Sequence, residues 1–164
     1  MDQETLEREL RQLQPASFAW AMACSGYRKD EAEDLLQTVY LKIIDGRARF
    51  DCKSSFKTWL FGVIRLTARE RYRRILRERL GLLLWADRKA AFVAGPPMDD
   101  ASRVRDAVRT LPRRQREVLE LVFYQELSIE ESAAVMGIGI GSARTHYERG
   151  KKSLRRSLGI GAEQ

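Results

Sequence analysis

A chain of 164 residues with a formal net charge of +7 and a pI near 9.7 favours a polyanionic partner over an acidic small substrate. No apolar run reaches the length of a membrane span, so no membrane insertion is expected, and the acidic start (Asp2, Glu4) lacks the basic opening of a signal peptide. Cys24 and Cys52 have neither metal-ligand spacing nor the density of a disulfide scaffold, which points to free thiols in a reducing cytoplasm.

Strand-like alternation is absent and glycine and proline are sparse, so an all-α chain is expected. From Gln3 to about Cys24, Leu6, Leu10, Leu13, Phe18, Trp20 and Ala21 recur at helical spacing, and Pro15 should end or kink the first part. Gly26 marks a turn. Asp30 is placed to cap a second helix with Glu33 in the capping-box position, and Gly46 follows its end. The stripe Ala32, Leu35 or Leu36, Val39 and Ile43 faces inward. The remaining face shows Asp34, Gln37, Thr38 and Leu41, a mixed strip that suits either solvent or a docked helix.

Arg47 to Ser55 reads as a loop holding Lys53, Ser54 and Ser55 between Phe50 and Phe56. A third helix follows from about Ser55 to Arg79, with Phe56, Leu60, Val63 and Thr67 inside. Lys57, Phe61, Arg65, Arg69 and Arg73 recur every fourth residue on another side. An ordinary solvated charge face has that look, and Glu70 can pair with Arg74. Five positions in register, one of them aromatic, fit a track for a nucleic-acid backbone with a stacking platform better. The stretch 80–102 breaks the pattern. Leu82 to Trp85 and Phe92-Val93 suit docking, and Gly95-Pro96-Pro97 stops any helix, so an interdomain linker is expected there.

A helix from Arg103 to about Thr110 opens the second half. Another follows Leu111-Pro112 and runs from Arg113 to Tyr124, with Val118, Leu119 and Val122 inside. Ser128 and Glu131 then form a capping box ahead of Ile129, Ala133 and Met136, and Gly137 stands where the helix needs positive φ. Past the Gly-Ile-Gly turn the period resumes with Ile140, Ala143, Tyr147 and Leu154. This is the pattern of a helix-turn-helix. The outer side of its second helix carries Ser142, Arg144, Thr145, Glu148, Arg149 and Lys152, with His146 close by. Short hydrogen-bonding groups and Arg read base edges, and the closing Lys151, Lys152, Arg155 and Arg156 suit phosphates. A plain helical hairpin with a basic face is the alternative, and duplex DNA binding is the favoured reading.

From about residue 16 to 158 the chain resembles the extracytoplasmic-function sigma factors of bacterial RNA polymerase. Glu31-Ala32-Glu33-Asp34-Leu35-Leu36-Gln37, Phe50, Phe56 and Trp59-Leu60-Phe61 are similar to sigma region 2. Leu111-Pro112-Arg113-Arg114-Gln115-Arg116-Glu117-Val118-Leu119, Leu127-Ser128 and Glu130-Glu131 are similar to region 4. The resemblance implies a region 2 bundle of three or four helices at 1–79, a linker at 80–102 and a region 4 helix-turn-helix at 103–164. It implies that Asp34 and Gln37, with Thr38 and Leu41 on their face, meet the β′ clamp helices of core RNA polymerase. Lys53 to Ser55 would hold a flipped base of the minus-ten element, and the third helix would track the melted strand. The helix bearing Arg144 would read the minus-thirty-five element, while the other surface of region 4 meets the β flap. Partners implied are core polymerase, promoter DNA and an anti-sigma factor, which could hold the chain near the inner membrane.

The chain departs from the family pattern at several places. Thr38 stands for an acidic residue, Leu66 for Asn, Ser132 for a core aliphatic, Gly139 for a capping Ser and Gly150 for Ala. A stand-alone helix-turn-helix regulator leaves the Asp34 face and the Arg65 track unexplained. A sigma mimic that only sequesters an anti-sigma factor has no use for two basic DNA-reading faces. Catalysis is not expected, since the single histidine, His146, has no carboxylate–nucleophile arrangement beside it, and no cofactor or metal is expected.

Overall fold

The computed structural model describes residues 2–83 and 100–160, and every regular element among them is helical. The helices are α1 (Gln3–Cys24), α2 (Lys29–Ile44), α3 (Phe56–Leu83), α4 (Asp100–Thr110), α5 (Arg113–Leu119), α6 (Ile129–Met136) and α7 (Ile140–Ser157). None of them is long and apolar enough to cross a membrane.

Three helices build the N-terminal half. Asp2 caps α1 by accepting the Thr5 N–H at 2.8 Å. The helix passes through Pro15 without ending, because that turn is exposed and water can take the carbonyl a proline leaves without a donor. α2 starts earlier than expected. Arg28 occupies its cap position with no side-chain capping bond, and Asp30 lies inside the first turn with Glu31, where acidic groups favour the helix dipole rather than close a capping box. Both Leu35 and Leu36 are buried. They meet Trp20 and Ala21 of α1 and Phe56, Leu60 and Ile64 of α3 in one core. The Trp20 indole donates to the Phe61 carbonyl at 3.1 Å, tying α1 to the middle of α3. Glu70 pairs with Lys42 across α2 at 2.5 Å instead of with Arg74.

Helix α3 continues past Arg79 to Leu83, and α4 begins at Asp100, before Arg103. The rest of the expected linker, with Trp85, Phe92-Val93 and Gly95-Pro96-Pro97, lies outside the described residues. Pro112 is the cap residue of α5, and α5 runs on into a π-helical turn at Glu120–Tyr124. That wider turn buries Glu120 and Leu121 and leaves Val122 only half-buried. The Ser128–Glu131 capping box forms in both directions, and Gly137 ends α6 at φ 61°.

Gly150 has a structural reason. It is buried in α7, and a Cβ there would lie 2.9 Å from Leu119 Cδ1 and 3.2 Å from Leu119 Cγ. Leu119 is itself almost fully enclosed. The glycine is the close-approach point of α7 on α5, so the better helix propensity of alanine, about 1 kcal/mol, is opposed by overpacking of about 1–3 kcal/mol. Gly150→Ala is expected to lower the unfolding midpoint, and Gly150→Val to lower it further. Thermal melts of the two variants check the order.

Candidate nucleic-acid interface

Helix α7 has a buried and an exposed side. Ala143 and Gly150 are buried against the domain, while Ser142, Arg144, Thr145, Glu148, Arg149 and Lys152 are exposed and His146 is half-buried. Gly139, at the cap position, provides no side-chain bond, and Ile140 is more exposed than its place in the apolar stripe implied. Arg144 is held only loosely, 3.8 Å from Glu130 in an exposed pair worth little. Thr145 spends its hydroxyl on the Gly141 carbonyl at 2.9 Å. Lys151 lies over the Tyr147 ring at 4.6 Å and beside Glu148. The helix therefore offers an exposed row of polar and charged groups that includes two arginines, Arg144 and Arg149.

The outer face of α2 presents Asp34, Gln37 and Leu41 to solvent, with Thr38 half-buried. Thr38 turns its hydroxyl back to the Asp34 carbonyl at 2.8 Å. Ile44, one turn beyond Leu41, is 73% exposed and extends the apolar part of this face. The period alone would have shown it, since Leu41 and Ile44 are three residues apart.

In the 47–55 loop, Lys53, Ser54 and Ser55 are exposed. Phe50, Phe56 and Trp59, which flank them in sequence, form an aromatic triangle with ring centroids 5.2–5.4 Å apart. Lys53 is paired with Asp51 at 2.8 Å. Ser55 is also a helix cap, since its Oγ accepts the Thr58 N–H at 3.1 Å at the start of α3.

The line Lys57, Phe61, Arg65, Arg69 and Arg73 is not an exposed stripe. Phe61 is fully buried and stacked on Trp20 at 6.1 Å. The C-terminal half covers the middle of the line. Lys57 Nζ donates to the Gln125 carbonyl at 2.5 Å. Arg65 is buried; its Nε and Nη2 donate to Glu117 Oε2 at 3.1 and 2.9 Å, and its Nη1 donates to the Met136 carbonyl at 2.7 Å. The other oxygen of Glu117 accepts from Arg113 at 2.8 Å. Within the line only Arg73 is fully at the surface, with Arg69 half-buried. The charge of Arg65 beside it holds the Arg69 guanidinium below its ordinary pKa.

A second contact crosses the same seam. The Tyr27 hydroxyl donates to Glu120, and the Arg109 guanidinium lies 4.7 Å above the Tyr27 ring. Burial pushes both the Tyr27 hydroxyl and the Glu120 carboxyl up from their usual values. Between the halves a cavity of about 360 Å³ is lined by Arg28, Arg65, Arg71, Arg113 and Arg116. Cys24 also lines it, its thiol pushed well up by burial. The seam roles of Glu117, Glu120 and Tyr27 are absent from the sequence-based expectations because each is defined by a partner on a distant element. The one clue, a glutamate adjoining the apolar Val118-Leu119, does not name its mate.

A three-helix bundle with an acidic and apolar outer strip, packed against a helix-turn-helix, makes a two-part all-helical fold. Sequence models of the Sigma-70 region 2 and Sigma-70 region 4 families match residues 10–78 and 101–154. The chain is 31% identical over 145 residues to the ECF RNA polymerase sigma factor SigX of Bacillus subtilis, covering 83% of this chain and 75% of that one. It is 30% identical to the ECF RNA polymerase sigma factor EcfG of Rhodopseudomonas palustris, covering 98% and 89%. The sigma factor RpoE of Bartonella quintana, solved in complex with the anti-sigma factor NepR, superposes with a TM-score of 0.78 at 27% identity, over 96% of this chain and 99% of that one. The chain belongs to the sigma-70 family of RNA polymerase sigma factors, in its extracytoplasmic-function group. Core RNA polymerase and promoter DNA are the partners that membership implies.

Proposed function

We propose that the chain selects promoters through two separate surfaces and docks on core polymerase through a third. The observation that carries this is α7, which buries Ala143 and Gly150 against the domain and leaves Ser142, Arg144, Thr145, Glu148, Arg149 and Lys152 exposed. On this reading Ser142, Arg144, Thr145, His146, Glu148, Arg149 and Lys152 face the major groove of the minus-thirty-five element. Lys53, Ser54 and Ser55, flanked in sequence by the aromatic triangle, hold an unstacked base of the minus-ten element. Lys57, Arg65, Arg69 and Arg73 follow its backbone once the two halves part. Asp34, Gln37, Thr38 and Leu41 meet the β′ clamp helices, and region 4 meets the β flap. The units are 1–79, 80–102 and 103–164, with no catalytic step of their own. The chain works in the cytoplasm with the polymerase. An anti-sigma factor, as in the RpoE–NepR complex, is its regulator and could hold it near the inner membrane.

The base-reading and phosphate-binding residues of α7 separate by experiment. Arg144→Ala is expected to relax sequence preference, because an arginine on a base edge contributes about 1–3 kcal/mol of discrimination. Lys152→Ala should weaken every sequence alike and reduce the salt slope by about one unit. A binding array over minus-thirty-five variants, run with holoenzyme, reads both. The same loss profile for the two substitutions contradicts the assignment.

A further inference from the structure

Arg65 is an arginine that the proposed function gives to nucleic acid, yet here it is buried between the halves and bound to a carboxylate. We infer that Glu117 is an internal stand-in for a phosphate, and that its clasp on Arg65 holds the free chain shut over its own strand-binding line. The inference rests on the proposed function of α3 and adds a control built into the fold.

The geometry supports a clasp rather than incidental packing. Arg65 is 6% exposed and Glu117 8%. Three Arg65 hydrogen bonds cross the seam, two to one carboxylate oxygen and one to the Met136 carbonyl at the end of α6. Arg113 takes the remaining carboxylate oxygen, so Glu117 is bonded on both sides. A phosphate oxygen would need the same guanidinium N–H groups that Glu117 now occupies. Lys57, one end of the same line, is held by the Gln125 carbonyl, so a second strand-binding cation is engaged in the same way. The Tyr27–Glu120 contact, roofed by Arg109, fastens the seam three residues along the chain from Glu117. The exposed face of α7 takes no part, so the minus-thirty-five surface stays open while the minus-ten line is covered.

The clasp is sensitive to loss of its carboxylate. Without Glu117 the buried Arg65 would lose its only carboxylate partner among the described residues, a far worse state for a cation than a hydrated one. The relief available is separation of the halves. Binding to the covered line is weakened by the fraction of chains that are open, so any change that opens the chain raises apparent affinity by the same factor.

The test uses the full chain. X-ray scattering of the wild type should give the radius of gyration of a compact body, about 15 Å for this length. Glu117→Gln should enlarge it by several ångströms while leaving helical circular dichroism unchanged. The same variant should bind a short single-stranded DNA oligonucleotide roughly tenfold more tightly. Glu4→Gln, an equal charge change on the exposed start of α1, should alter neither quantity. Tyr27→Phe, which removes one hydroxyl from the same seam, should move both quantities the same way by less, and it decides the matter if Glu117→Gln fails to fold. Unchanged scattering in both seam variants overturns the clasp. Expansion with unchanged DNA affinity supports the clasp and overturns instead the assignment of α3 to nucleic acid.

Discussion

Phe61→Ala is expected to cost about 3–5 kcal/mol of stability, the range for emptying a fully buried aromatic site. The ring is completely enclosed and stacked on Trp20, and the Phe61 carbonyl accepts the Trp20 indole N–H. Removing it loosens the junction of α1 with α3 on which the N-terminal core is built. For a chain of this size the unfolding midpoint should fall by about 10 °C or more. A thermal melt is sufficient. If Phe61 were instead an exposed platform for a base, the melt would be unchanged and only binding of single-stranded DNA would fall.

The second large effect belongs to the outer face of α2. Asp34→Ala combined with Gln37→Ala is expected to weaken core polymerase binding by on the order of tenfold to a hundredfold, as loss of central interface residues does. Stability should hardly change. Both side chains are exposed, and the ion pair lost among the described residues is the long one from Asp34 to Arg71 at 3.8 Å. The neighbouring Leu41 and Ile44 give this face the apolar centre that a helix–helix contact needs. A titration of core polymerase with the double variant, alongside its melt, separates the two quantities. Unaltered affinity removes this face from the polymerase interface.

These two cases show what periodicity could and could not reveal. The stripes of α2 and α6, and that of α7 apart from the exposed Ile140, were legible because each helix buries one face against its neighbours, which is the condition under which spacing equals burial. The capping box at Ser128 and the left-handed turn at Gly137 were legible because both are local. α3 has burial on more than one side: Leu60, Phe61 and Ile64 lie in the core with α1 and α2, and Arg65 is buried at the seam. A second buried face reads in sequence as a second functional stripe, which is why Phe61 and Arg65 looked like surface. Capping by Ser55 and the close approach at Gly150 were present in the residue types but had competing explanations. A loop serine can line a pocket, and a helical glycine can simply be a weak point. Which explanation holds depends on Thr58 and on Leu119, and only the packed chain brings Leu119 to Gly150. The seam pairs Arg65–Glu117 and Tyr27–Glu120 were invisible, since each joins residues far apart in the chain.

The central claim is that this chain directs core RNA polymerase to particular promoters. Transcription of genomic DNA by core polymerase with the purified chain, followed by sequencing of RNA 5′ ends, tests it most directly. The expected result is a discrete set of start sites that share two upstream sequence elements, with Arg144→Ala spreading initiation to sites whose upstream element is altered. The same pattern of starts with and without the chain would contradict it.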